Sequence, residues 1–467
     1  MLISPDAEKL ARPTAPMASV EERKVRGKAL REKVPHERHA EYPPSSNRAD
    51  PVAILEEQAK TRLPFLVPIR YARMLASPFA FLRGSAAVMA ADLARTSVTG
   101  LTVQACGDMH VANFGVYASA ERNLVFGIND FDETLPGAWE WDLKRLAASA
   151  VVVARFHGAD KVLCEEAARA TVRSYRKNMR KYAKMRNLDL WYSRIDEQGI
   201  LAALSPEVRE VAERVMAKAR KRGHMQVLEK MAALVDSKHR IVEVAPLIVR
   251  ETRTQDGRSV AEALAHTLDI YINSLPDERR TLLARYRIVD VARKVVGVGS
   301  VGTRCWVALM SGNGPDDPLF LQYKEAQPSV LAPYSETPRW ECEGKRVVVG
   351  QRLIQGSPDI FLGWGTQPNG GHFYIRQLRD MKGGVEFDPK RVNQLPEYCK
   401  LCGWALALAH AKSGDPAAIA GYLGKSDGMD EAVARFAAAY AEQTDRDYDA
   451  LVKAAKEKRI RVAKTAN

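Results

Sequence analysis

Five polar side chains capable of chemistry fall within twenty-five residues of this chain: Asp108, His110, Asn113, Asp130 and Asp132. They sit in Cys106-Gly-Asp-Met-His-Val-Ala-Asn-Phe-Gly115 and Ile128-Asn-Asp-Phe-Asp-Glu133, two short loops that each follow an apolar, strand-like run. A carboxylate, a neutral oxygen ligand five residues on, and further carboxylates after a second strand match the working half of a phosphoryl-transfer site: a base, a carboxamide ligand and an acidic metal ligand. The competing reading is a pair of Asx turns closing two strands, where Asp and Asn are favoured for local hydrogen bonds.

A phosphoryl-transfer site also needs a phosphate cradle. Gly297-Val-Gly-Ser-Val-Gly302 fits G-x-G-x-x-G, a pattern that is weak by itself. A dinucleotide fold requires a helix directly after the glycines, whereas here a β-branched and aromatic run follows, centred on Trp306 and Val307. The predicted arrangement is strand, glycine loop, strand, with the backbone N–H groups of Gly297, Gly299, Ser300 and Gly302 free to approach phosphate oxygens. Lys324 follows Gly302 by twenty-two residues, near the end of a third strand, where such a site wants a cation for the α- and β-phosphates. A plain hairpin with a surface lysine is the bland alternative.

The elements that must position these groups can be read coarsely. Apolar residues recur at helical spacing from Leu63 to Ala94, with a break at Pro78. Thr99 to Ala105 and Leu124 to Ile128 read as strands, and Trp141 to Phe156 as a buried helix. The chain then reads as helical to about Leu283. The β-type runs Val289–Val296, Arg304–Met310 and Leu319–Lys324 follow, then a helix from Lys345 to Gln355, a strand from Phe373 to Leu378, and helices from Leu395 to Lys458. The expected division is a basic extended arm over 1–60 and a mainly helical lobe with both acidic loops over 61–285. A β-rich lobe follows over 286–394, and C-terminal helices that pack on the helical lobe over 395–467.

The 467 residues exceed one ordinary core, and 46% hydrophobic with 27% charged residues suits a globular protein. No apolar run reaches the ~18 residues of a membrane span. Met1 to Pro16 carries acids and lacks an apolar stretch, so no secretory signal is expected. Six cysteines in this length are no disulfide scaffold, and a cytoplasmic location is expected. A net charge of +13 calls for polyanionic company, whether a nucleotide, nucleic acid, an acidic substrate or a membrane surface, and charge alone does not choose among them. The basic segments Arg173–Arg186 and Lys218–Arg222 read as solvated helix faces before they read as a nucleic-acid surface. Tyr175, Met179 and Tyr182 share one inward face, with the cations pointing out. Cys399 and Cys402 form a lone C-x-x-C in an Ala- and Leu-rich helix and read as two buried thiols, and His410 there reads as a satisfied core histidine.

The loop at Asp108 resembles the H-G-D-x-H-x-x-N loop of aminoglycoside- and choline-kinase-type phosphotransferases, and Ile128-Asn-Asp-Phe-Asp resembles their metal loop. Trp141-Asp142-Leu143 looks like their downstream acidic signature, which buttresses the loop. Leu66-Val-Pro-Ile-Arg-Tyr71, Ser77-Pro-Phe-Ala-Phe-Leu-Arg-Gly84, Asn129-Asp-Phe-Asp-Glu133 and Tyr374-Ile-Arg-Gln-Leu-Arg-Asp-Met-Lys382 resemble an uncharacterised bacterial family, domain of unknown function 2252. The resemblance implies an α+β, protein-kinase-like two-lobed fold in circularly permuted order, since the glycine hairpin here follows the acidic loops. The late helix Cys399–Lys412 is then expected beneath the Asp108 loop.

On this resemblance the chain is expected to be an ATP- and Mg²⁺-dependent phosphotransferase acting on an unidentified small-molecule or protein acceptor. Asp108 is the expected base. Asn113 and Asp130 are the expected Mg²⁺ ligands, with Asp132 at a second ion or orienting Asp130, and His110 braces the loop. Arg376, Arg379, Asp380 and Lys382 are candidates to line the nucleotide cleft. Two features depart from the pattern: Cys106 stands where the related loops carry histidine, and Lys345 to Pro358 contains no acid to hold Lys324, leaving Glu341 or Glu343 as outside candidates. Three rivals follow: a nucleotide-binding pseudokinase, a basic nucleic-acid-binding protein, and a binuclear metallophosphoesterase, the last needing G-D-x-x-D and G-N-H-[DE] loops that are absent.

Overall fold

Pro78 starts a helix rather than interrupting one. Its missing N–H costs nothing in a first turn, and Ser77 Oγ accepts the Ala80 N–H at 3.0 Å, so the chain folds into α1, Pro78–Gly84. In the computed structural model, described over residues 17–464 except 43–46, 236–237, 254–256, 258, 337–339, 368–369, 379–380 and 386, the first lobe is built on four long helices: α2, Trp139–Phe156; α3, Lys161–Tyr182; α5, Leu395–Ser413; and α6, Gly428–Lys456. Helix α4, Glu343–Ile354, lies against the strands Gly363–Thr366 and His372–Gln377 and also puts Val347, Val348 and Ile354 into the core shared with α2, α3 and α5. The near-continuous apolar character of α2 is matched by burial along almost its whole length. Gly403 lets α5 approach α3 closely, because a Cβ there would lie 2.1 Å from the Thr171 carbonyl oxygen.

Five short strands edge these helices. β1, Thr102–Ala105, pairs antiparallel with β4, Leu135–Ala138; β2, Phe114–Ala118, pairs with β3, Leu124–Ile128, which also meets β5, Ile195–Asp196. A separate hairpin is formed by β6, Ala232–Val235, and β7, Lys238–Ile241.

The β-rich lobe is a six-stranded sheet in the order β12-β13-β11-β10-β9-β8, antiparallel at every pairing. Its strands are β8, Ile248–Val249; β9, Arg287–Lys294; β10, Cys305–Ser311; β11, Pro318–Glu325; β12, Gly363–Thr366; and β13, His372–Gln377. The two-residue period sorts β10 between two cores. Trp306, Ala308 and Met310 pack with Leu264 and Tyr271 of the helix Val260–Ser274, while Val307 and Leu309 pack with Val227 and Leu228 of the helix His224–Met231. Mixed helix and antiparallel sheet make the architecture α+β, as expected.

Three expectations are corrected. The described part of the supposed extended arm is structured: a capping box at Ser19 and Glu22 starts the helix Val20–Lys33, and Gly27 lies against the Ala418 backbone. Val52 and Leu55 of the helix Pro51–Ala59 enter a core with Leu451. Residues 1–16 and 43–46 of that arm lie outside the described residues. The stretch to Leu283 is not helical throughout, since it contains β5, the β6–β7 hairpin and β8. On α3, Tyr175, Met179 and Tyr182 are buried as expected, but Arg176 also turns inward and pairs with Asp430 at 2.6 Å. Among the described residues no helix is long and apolar enough to cross a membrane.

Candidate functional site

The Asp108 loop is held from below by parts of the chain far apart in sequence. Asp142, in the first turn of α2, accepts the Cys106 N–H at 2.6 Å and the Gly107 N–H at 2.9 Å. Its carboxylate also meets His410 Nε2 on α5 at 3.2 Å, and His410 Nδ1 meets the Tyr175 hydroxyl at 2.9 Å. Tyr398, also on α5, donates to the Val111 carbonyl at 2.9 Å, while Val111 N–H donates to Ser149 Oγ of α2 at 3.0 Å. Gly107 takes a φ of 78°, and a Cβ there would press on the Glu133 carbonyl. His410 is thus a satisfied core histidine that also braces the loop. Cys399 and Cys402 are buried, and burial pushes the Cys399 thiol up to about 12.

The strand before the loop is fixed by a second buried acid. Glu140 Oε1 accepts the N–H and the hydroxyl of Thr99, at 2.7 and 2.6 Å, while Oε2 has no partner. Burial raises its pKa from 4.5 to about 7. A carboxyl whose pKa rises on folding favours the folded chain at low pH and loses that contribution as pH climbs from the unfolded to the folded value. Melting temperature should therefore fall between about pH 4.5 and pH 7, more gently in Glu140→Gln than in the wild type. An unchanged slope in the variant would contradict this assignment.

Asp108 Oδ1 accepts two hydrogen bonds from Arg145, the Nε bond at 2.9 Å. Burial raises its pKa, and Arg145 opposes that shift without cancelling it. Arg145 had no assigned role, yet it lies three residues after Asp142 on α2, a spacing that shares a helix face. His110 Nε2 stands 3.8 Å from Asp108 Oδ2; burial, aided by Arg83 and Arg145, holds His110 neutral. Asn113 donates through Nδ2 to the Asp108 carbonyl at 2.6 Å, which leaves Oδ1 for another partner, and its own carbonyl accepts the Asn129 N–H at 2.8 Å.

The second wall comes from the sheet. Lys324 on β11 is 3% exposed; its Nζ lies 3.7 Å from Asp130 Oδ1 and forms a closer ion pair with Asp132. Burial alone would lower the pKa of this ammonium, but Asp130 and Asp132 outweigh it and raise it well above the ordinary value. Asp132 also accepts the Tyr374 hydroxyl at 2.5 Å and Ser300 Oγ at 3.1 Å. Burial disfavours its charge, yet Lys324 and Tyr374 prevail and its pKa falls to about 2.

The expected acidic partner from the α4 side is corrected: Glu343 instead engages Arg346 on its own helix. Arg346, almost fully buried, clamps the carbonyl oxygens of Thr134, Asp132 and Gln327. The lysine is held by the Asp130–Asp132 loop itself. Arg376 reaches the Asn129 carbonyl at 3.4 Å. Lys382 is half-buried, and desolvation lowers its ammonium to about 7 with help from Arg376. Arg379 and Asp380 lie outside the described residues.

The glycine loop joins β9 to β10, with Gly297 and Gly302 at φ of 65° and 92°. It is pinned to the helical lobe: Leu63 N–H donates to the Gly302 carbonyl at 2.8 Å, Arg62 Nη1 to Val301 at 2.5 Å, and Arg73 Nη1 to Gly297 at 2.6 Å. Asp108, His110, Asn113, Asp130 and Asp132 share one cavity of about 100 Å³ with Gly297, Gly299 and Ser300. Gly302 stands beside it against Arg62, and Lys324 reaches it through its two carboxylate contacts.

Among the described residues no group of three or more His, Cys, Asp or Glu side chains could hold a metal ion. Asn113 Oδ1 and Asp130 supply two hard oxygens, and Asp130 Oδ1 is buried without a hydrogen-bond donor. That set fits Mg²⁺, which takes one or two protein oxygens and completes its shell from phosphates and water.

The chain is therefore an α+β protein in which two acidic loops and the β9–β10 glycine loop line one cavity, with Lys324 of β11 held beside it by Asp130 and Asp132. Residues 62–454 match the family described as an uncharacterized protein conserved in bacteria (DUF2252), and the chain belongs to that family. No curated protein and no solved structure matches it.

Proposed function

We propose that this chain is a kinase-like phosphotransferase that uses ATP with Mg²⁺. The observation that carries the reading is the 3.7 Å approach of Lys324 Nζ to Asp130 Oδ1 beside the glycine loop, which lets one triphosphate touch both walls. The backbone of Gly297–Gly302 cradles the phosphates and Lys324 binds the α- and β-oxygens once drawn from Asp132. Asn113 and Asp130 would hold the ion, which would offset the charge of the phosphates. Asp132, fixed by Tyr374, orients the lysine and Asp130.

Asp108 orients the acceptor hydroxyl and takes its proton. A bond forms between the acceptor oxygen and the γ-phosphorus, and the bond to the β–γ bridging oxygen breaks with its electron pair left on ADP. His110, neutral and buried, sets its ring edge-on against Phe79. Its Nδ1 has no hydrogen-bond partner among the described residues, so it fills space behind the loop rather than bracing it by a hydrogen bond. The late helix α5, seated under the early Asp108 loop through Tyr398 and His410, is what a circularly permuted kinase-like order requires.

A second reading, nucleotide binding without turnover, is favoured by one observation: α4 contributes Arg346 where an acid would hold the lysine. ADP formation from Mg–ATP separates the two. The phosphotransferase reading expects slow ADP release with water as acceptor in the wild type and none in Asp130→Ala; bound nucleotide without ADP release in the wild type supports the second.

A further inference from the structure

Three arginines around the cleft have no part in the transfer chemistry above. Arg62, Arg70 and Arg83 line the same cavity as Asp108 and Asn113. None has a carboxylate within ion-pair distance among the described residues. Arg70 is 0% exposed; its Nη2 is spent on Gln58 Oε1 at 3.0 Å and the Gly84 carbonyl at 2.9 Å, which leaves Nε and Nη1 without acceptors. Nε of Arg62 and Nε of Arg83 are buried and unpartnered too. Burial lowers the pKa of all three guanidiniums.

The acids on the cavity are engaged elsewhere. Asp108 serves Arg145, Asp132 serves Lys324, and Glu325 serves Arg304 at 2.8 Å. Asp130 faces Lys324, and Glu133 accepts the Val330 N–H at 2.7 Å.

Guanidinium nitrogens buried without an acceptor are costly unless an anion completes them; all three arginines carry such nitrogens, though only Arg70 is fully buried. Four unpartnered nitrogens on three arginines would take every lone-pair site of one carboxylate, and its single charge would still face three cations. A phosphate monoester offers three terminal oxygens and close to two charges, and planar guanidiniums match it. The adenine nucleotide already has the glycine loop, Lys324 and the metal ligands, whereas the field of Arg83 reaches Asp108 and Asp130.

We propose that Arg62, Arg70 and Arg83 form a second anion subsite that holds a phosphate group of the acceptor, which is therefore a small phosphorylated alcohol whose free hydroxyl faces Asp108. This rests on the phosphotransferase reading for the acceptor's role, but not for the anion site itself. The same oxyanion chemistry could come from the nucleotide's own phosphates, so the test separates the two sources.

The full-length chain is titrated with inorganic phosphate, alone and with a saturating non-hydrolysable ATP analogue plus Mg²⁺. The expected result is phosphate binding in both states, weakened about ten- to a hundredfold in Arg70→Gln and in Arg83→Gln, with analogue affinity unchanged. Arg83 is only half-buried, so its variant keeps the test decisive if Arg70→Gln fails to fold. Phosphate excluded by the analogue, together with weaker analogue binding in Arg83→Gln, would assign the trio to the nucleotide and overturn the proposal. Absence of phosphate binding to the wild type would overturn it as well. Phosphate bound without any analogue binding would sustain the anion site while the phosphotransferase reading failed.

Discussion

Asp108→Ala should lower ADP formation from Mg–ATP by about 10²–10⁴-fold, the range expected when a general base is removed, while nucleotide affinity stays close to that of the wild type. Asp108 contacts Arg145 and His110 rather than Lys324 or the glycine loop, so its loss leaves the phosphate cradle intact. Arg145 would lose its counter-charge, and a folding defect is the main confounder. Asp108→Asn keeps an oxygen for Arg145 and should melt closer to the wild type than Asp108→Ala while sharing the catalytic loss. Turnover within a few-fold of wild type in both variants would exclude Asp108 as the base.

Asp142→Ala should cost about 3–5 kcal/mol of stability, the scale for removing one partner of a buried charged network. Asp142 is 1% exposed and serves the N–H groups of Cys106 and Gly107 together with His410. Its removal strands two backbone donors and a buried imidazole at once. Among the described residues Asp142 is the acceptor for both N–H groups, so the Asp108 loop should loosen along with the global melt. Chemical denaturation measures this, and a loss below about 1 kcal/mol would show that the loop is held by other means.

What could be read in advance depended on whether local chemistry or tertiary context fixed each part. β3 runs from Leu124 to Ile128, the bounds its apolar run implies, and the glycine hairpin follows from β-branched runs on either side of Gly297–Gly302. β12 was missed because Gly363-Trp-Gly-Thr366 has no alternation; Gly363 and Gly365 are there so that Tyr271 and Thr267 can press on the backbone. β4 contains Pro136 and Gly137, both poor strand residues, and exists because β1 needs a partner.

The structured arm was hidden for a related reason. The helix Val20–Lys33 is dominated by charge and buries only Gly27, whose value lies in close contact with the helix Pro416–Leu423 nearly four hundred residues away. In the site, the loops and Lys324 were legible from residue type and spacing. The lysine's partners were not, because the search for an acid looked to α4 and the acids lay in the Asp130–Asp132 loop. Arg70 and Arg83 lie within the phrases Leu66–Tyr71 and Ser77–Gly84, but nothing in those phrases groups them with each other or with Arg62; only their place around one cavity does.

Calorimetric titration of the full-length chain with Mg–ATP, beside Lys324→Ala, asks whether the two walls grip one nucleotide. Binding by the wild type, weakened about ten- to a hundredfold once the charge-assisted contacts of the lysine are gone, is the expected result. No heat of binding in the wild type, or equal affinity in the variant, would contradict it.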